Sequence, residues 1–275
     1  MEKLIVEKPI DLKSFISKSL NISKTKSKNL IDTKNIFVNG KRVWIATYKL
    51  QKGDIVEIPE IKKEVKKTTI ISQNNILYED DFIIAIDKPA FIVSESKRDS
   101  VEDQLRKLKG KNIKAIHRLD KETTGILLFA KSFSIFERFK KLWEEKNIKK
   151  EYIAISHKKA EFKKKIINFP IDNKYAKSEV FTIKTNKFYS LFKINIKTGR
   201  KHQIRIHLSK IGHPIIGDKD YGYKYIDDPI LKSVKRQLLH SSTLSFFHPY
   251  LKKKVIINSP IPKDFKEFLR KVNLL

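Results

Sequence analysis

The chain has 275 residues and a hydrophobic fraction of 40%, enough for one substantial core and a small accessory module. No window nears the ~18 uncharged apolar residues of a membrane span, the acid-bearing start does not read as a secretory signal, and the lack of Cys excludes disulfides and thiolate-held metals. Sixty Lys and Arg against 31 Asp and Glu leave a net charge of +29; such self-repulsion is relieved by a polyanion, nucleic acid above all, although a compositional bias toward Lys is the competing reading.

Residues 1–60 read as a separate small unit. Leu12, Phe15, Ile16 and Leu20 recur at helical spacing, and a second helix from Ser23 places Leu30 and Ile31 near its end. In IFVNGKRV two β-rich runs flank Asn39-Gly40, a hairpin signal because both residues tolerate positive φ. A strand in DIVEIP follows Lys52-Gly53. Residues 61–75 are charged, then polar, and read as a linker. Residues 76–275 form the third segment.

From Ile76 the pattern is mixed α/β. FIIAID (82–87) is a strand stopped by Lys88-Pro89, and GILLFAK (125–131) is a continuous apolar run, as a strand covered on both faces requires. A helix carries Phe136, Phe139 and Leu142 and ends near Asn147; EYIAIS (151–156) and SLFKINIK (190–197) are strands. After Thr198-Gly199-Arg200, Ile204, Leu208 and Ile211 mark one face of a helix that Gly212 and Pro214 end.

The loop His117-Arg118-Leu119-Asp120 sits at the edge of the 125–131 strand, a usual place for a catalytic carboxylate. On spacing alone a lone Asp in a loop is more often a turn or cap residue. His202 and His207 are five apart, roughly 140° beyond a full helical turn, without a matched carboxylate, so no metal is expected. No Gly-rich phosphate loop or dinucleotide fingerprint occurs, and no cofactor is expected.

The first unit resembles the S-four-like RNA-binding domain in its two helices, its Val-Asn-Gly-Lys hairpin and the Gly-Asp before the closing strand. Ile10-Asp11-Leu12 stands where that domain has Arg-Leu-Asp. His-Arg-Leu-Asp followed by Thr-Gly (117–125) resembles the signature of RluA-type pseudouridine synthases. In the order that family shows come Tyr78-Glu79-Asp80-Asp81, Lys88-Pro89, Lys150-x-Tyr152-x-Ala154, TGRKHQIRIHL (198–208), Gly212-His213-Pro214, Gly217-Asp218-x-x-Tyr221-Gly222, RQLLH (236–240) and Phe247-His248-Pro249. Phe91 replaces the family's Gly after Lys-Pro-Ala, and the stretch from Ala90 to Ile116 is short and lacks its usual glycines, which leaves target choice open.

The resemblance implies an α+β catalytic domain built on a mixed, mainly antiparallel sheet. It implies Asp120 as catalytic carboxylate, Tyr152 against the target base, Arg205 pairing with Asp120, and Arg118 filling the gap left by the extruded uridine. It also implies RNA contacts at His117, Arg118, Arg200 and Lys201, with Lys28, Asn39, Lys41 and Arg42 in the first unit. His117 is expected to be structural rather than catalytic, because the chemistry needs no group titrating near pH 7. An ionised carboxylate either attacks the sugar or removes a sugar proton, and the sequence does not choose. The expected substrate is large-subunit ribosomal RNA, with transfer RNA as the alternative, for a cytoplasmic monomer without metal or cofactor. A non-catalytic RNA-binding factor and a base-releasing nucleosidase are the rivals.

Overall fold

The computed structural model of the chain describes residues 2–33, 35–58, 69–145, 147–223 and 228–275. Its contacts divide it into two units, Met1–Lys67 and Thr68–Leu275. In the first, the elements are β1 (Glu2–Ile5), β2 (Ile10–Asp11), α1 (Leu12–Ser19), α2 (Lys24–Asp32), β3 (Phe37–Val38), β4 (Lys41–Arg42), β5 (Lys49–Leu50) and β6 (Ile55–Ile58). Asp11 and Ser23 cap the two helices by accepting from Ser14 N and Lys26 N, satisfying amides that have no partner inside a helix. The turn Asn39-Gly40 has positive φ at both positions, 49° and 76°, so the expected hairpin forms between β3 and β4. Leu12, Ile16, Ile31, Leu50 and Val56 fill this unit's own core.

The second unit opens with a one-turn 3₁₀ helix, Gln73–Asn75. Its elements are β7 (Ile76–Glu79), β8 (Ile83–Lys88), α3 (Val101–Lys109), β9 (Lys114–Ala115), β10 (Thr124–Ala130), α4 (Phe133–Glu144), β11 (Lys149–His157), β12 (Lys164–Ile167), β13 (Ser178–Thr185), β14 (Tyr189–Ile196), α5 (Gln203–Lys210), α6 (Pro229–Lys232), β15 (Leu239–Phe247), β16 (Lys254–Asn258) and α7 (Lys263–Lys271). The sheet runs β12-β13-β14-β11-β15-β10-β8-β7, with β9 and β16 added on β10 and β15. Only β10 with β15 is parallel among the described pairs, which gives the expected α+β class with a mainly antiparallel sheet.

Part of the expected 61–75 linker needs correction. Residues 61–68 lie outside the described residues, but 69–75 pack on the second unit: Ile71 is buried and its N–H donates to the Gln104 side chain. The polar composition hid one apolar anchor.

Two features of the sheet place the site. The parallel pairing covers only Thr124–Gly125 against His240–Ser241, so the sheet splits there and leaves room beside the loop that precedes β10. Gly125 has φ +104°, and a Cβ there would lie 2.2 Å from Ser241 O; only glycine permits this approach. On β11 the register against β15 slips between Glu151 and Tyr152, an irregularity of the kind that re-aims a side chain.

Candidate active site

The 117–123 loop is tied down almost residue by residue. Ser94 Oγ accepts from Leu119 N and donates to Leu119 O, both at 2.9 Å. Lys88 Nζ, fully buried, donates to the carbonyls of Pro89, Ile92 and Lys121 at 2.9–3.1 Å. Burial pushes its pKa down to about 7, and Arg236 adds to this; yet three carbonyls accept all three ammonium protons, so the geometry serves the charged form. Arg236 donates to Glu122 O at 3.3 Å, and Gln237 Nε2 to Thr123 Oγ1 at 2.7 Å. A loop so anchored holds Asp120 in one place.

Arg205, on α5, is buried and faces three carboxylates. Its Nε and Nη2 donate to the two oxygens of Asp218 at 2.7 and 2.8 Å, and Nη2 also donates to Asp220 at 2.7 Å. Its Nη1 is left to donate to Asp120 Oδ2 at 3.1 Å. Burial is the largest single effect and disfavours the guanidinium charge, but Asp218, Asp220 and Asp120 together outweigh it and raise the pKa of Arg205. The partnership works in both directions: burial would raise Asp218, and Arg205 instead holds it below the usual carboxylate range. Asp218 Oδ1 further accepts from Asp220 N and Tyr221 N at 3.0 Å, so one carboxylate fixes the turn and aims the arginine.

Asp120 opens on a cavity of about 200 Å³, below the ~300–1,000 Å³ of sites for drug-sized ligands and matched to a single flat ring. Leu119, Tyr152, Ile196, Ile204 and Leu239 make its apolar side. Tyr152 is buried, which pushes its pKa up to about 12, with the nearby Asp120 charge acting in the same direction; it is a neutral ring. Asp120 itself is not fully buried. Its side chain is 26% exposed, so it sits at the cavity mouth rather than enclosed by protein alone.

The family described as RNA pseudouridylate synthase matches residues 82–210, the stretch that contains Asp120, Tyr152 and Arg205. The ribosomal large subunit pseudouridine synthase C of Buchnera aphidicola subsp. Acyrthosiphon pisum is 36% identical, covering 93% of this chain and 91% of its own. This chain belongs to the RNA pseudouridylate synthase family. An uncharacterized RNA pseudouridine synthase of Helicobacter pylori is 34% identical over 82% of this chain and 88% of its own length. Among solved structures, human RNA pseudouridylate synthase domain containing 4 has the same fold, with TM-score 0.63 at 22% identity over 73% of this chain and 93% of its own. The chain is therefore an isomerase that converts uridine to pseudouridine in RNA, as its signature implies.

Within a pseudouridine synthase the remaining expected residues fall into two groups. Arg118, Arg200 and Lys201 are exposed and line the cavity rim; Lys28, Lys41 and Arg42 are exposed on the first unit. His117, half-buried, and Asn39, exposed at the hairpin tip, are also engaged in bonds within the protein. His117 Nε2 accepts from Leu128 N at 3.2 Å and its ring stacks on Trp143 at 4.3 Å; burial holds its pKa near 3, so it is a neutral structural group. The Asn39 amide donates to Asp54 and accepts from Ile55 N, both at 2.9 Å, and clasps the hairpin to β6.

His207 is also structural, bonded to Ser178 Oγ and Phe169 O at 2.9 Å. His202 lies 3.8 Å from Asp120. Among the described residues no group of three or more His, Asp or Glu is placed to hold a metal ion, and no helix is long and apolar enough to cross a membrane. Sequence reasoning gave no role to Asp218, Asp220, Lys88, Arg236 or Gln237. Most of these stood in the quoted motifs, which was the available signal.

Proposed function

We propose that this isomerase modifies uridines of large-subunit ribosomal RNA with Asp120 as the catalytic carboxylate. The observation carrying the reading is the Arg205 Nη1 to Asp120 Oδ2 contact, 3.1 Å, at the mouth of a ring-sized cavity walled by Tyr152. A uridine in folded RNA is flipped out at about a few kcal/mol, and its base enters against the Tyr152 ring while Arg118 occupies the vacated stack. The Asp120 carboxylate attacks the sugar at C1′, or removes the C2′ proton. Either route releases the uracil ring with the electron pair of the broken bond. The enclosed ring turns and C5 bonds to C1′, displacing the Asp120 oxygen on the first route or, on the second, adding to the glycal as Asp120 returns the proton to C2′; ring N1 takes up a proton and the C5 proton is lost to solvent. Arg205 Nη1, 3.1 Å away, holds the Asp120 side chain in position at the cavity mouth.

The first unit is read as an S-four-like RNA-binding domain whose Lys28, Lys41 and Arg42 meet phosphates. The ribosomal target is supported by the names of the curated relatives. The enzyme is taken to be a cytoplasmic monomer that needs neither metal nor cofactor. RNA tritiated at uracil C5 tests the reaction: tritium is released to water from an unmodified ribosomal transcript faster than from transfer RNA. Free uracil would instead mark a nucleosidase, and no release at all a binding protein.

A further inference from the structure

A second cavity, about 460 Å³, lies beside the first and shares Arg118, Leu119, Asp120, His202 and Arg205 with it. Its own wall is the 93–97 segment, with Lys121, Lys219 and Gln237 opposite. This segment belongs to the stretch where the sequence departs from its family. Phe91 has φ 68° and Ser96 φ 63° without being glycine, a cost that persists only when surroundings fix it. They do: Phe91 N donates to Lys121 O, Val101 N to Val93 O, and Glu102 N to Ser94 O, at 2.8–3.1 Å. The wall is a built surface.

Its charges are not all matched. Lys219 is paired with Glu122 and Asp220 with Arg205. Lys97, Lys121 and the half-buried Glu95 have no ion-pair or side-chain hydrogen-bond partner among the described residues. Two free ammonium groups suit a phosphate. A lone carboxylate in so basic a chain opposes phosphate, and as an acceptor only it favours a partner with N–H donors.

Because the two cavities share Arg118, Leu119 and Asp120, an RNA strand with its uracil in the first has a path into the second. We propose that the second cavity receives the nucleotide adjoining the target uridine, its phosphate at Lys97 and Lys121, and that Glu95 selects a base bearing an exocyclic amine over uracil. Cytosine, adenine and guanine each offer such an amine; where cytosine has it uracil has the O4 carbonyl, which leaves only the ring N3–H, flanked by two carbonyls, to face the acid. The inference rests on the reading of the first cavity as the uridine site.

The test uses the full-length enzyme and stem-loops built round a uridine that it modifies in unmodified ribosomal or transfer RNA transcripts. The stem-loops differ only in carrying cytidine or uridine at each neighbouring position. On one side, cytidine raises kcat/KM by roughly tenfold over uridine, and Glu95→Ala reduces that ratio to about twofold or less. Lys97→Ala with Lys121→Ala weakens both substrates alike and lowers the slope of log affinity against log salt by about 2. A wild-type ratio near one at both neighbours, or a ratio that survives Glu95→Ala, overturns the proposal. Absence of tritium release from every transcript would instead bring down the uridine site itself.

Discussion

Arg205 divides its donors unequally: two short bonds to Asp218, one to Asp220, and a single 3.1 Å bond to Asp120. The acid at the cavity mouth therefore has a guanidinium whose direction is set by a different carboxylate. Asp218→Asn removes one acceptor and the charge while leaving Arg205 buried. Breaking a buried pair costs about 3–5 kcal/mol, and the freed arginine no longer aims Nη1 at Asp120. The expected outcome is a lower unfolding midpoint together with a kcat reduced by roughly 10- to 100-fold at little-changed KM, since orientation rather than RNA contact is lost. Stopped-flow turnover and denaturant titration read both, and an unimpaired kcat would contradict the assignment. Asp120 and Arg205 were legible because each lies inside a contiguous motif. The Asp218 pairing was not, because a helix side chain meeting a turn 13 residues later leaves no local periodicity.

At the scale of elements, long apolar or periodic runs read through. β10, buried at every position, and α5 were plain from composition and spacing. Helix α3 and the β16–α7 ending were not, because in α7 only Phe265, Phe268 and Leu269 are buried among charged residues. Nor does any sequence pattern announce that β10 and β15 meet in parallel over two residues. That crossing depends on Gly125, and Gly125→Ala puts a methyl group 2.2 Å from Ser241 O at φ +104°. We expect a loss of more than about 3 kcal/mol in unfolding free energy, from strain and clash together. Gly110→Ala, at φ +122° with nothing within 4 Å, should lose only about 1–3 kcal/mol. Equal stability of the two variants, by chemical denaturation, would mean that the crossing relaxes freely.

At the scale of the whole molecule, a net charge of +29 predicts an affinity for RNA that falls steeply with salt. The charge is legible in composition alone, whereas the packing of 69–75 is not, because a single buried Ile71 stands in a polar stretch. If Lys28, Lys41 and Arg42 each neutralise a phosphate, replacing all three by Ala lowers the salt slope by about 2–3. A filter-binding slope equal to that of the wild type would remove the RNA role proposed for those residues.

The most direct measurement is single-turnover tritium release by Asp120→Asn, run beside its RNA affinity. Abolished release with RNA binding kept within about a few-fold is the predicted pair of results. Release at the wild-type rate would show that the reaction does not pass through this carboxylate.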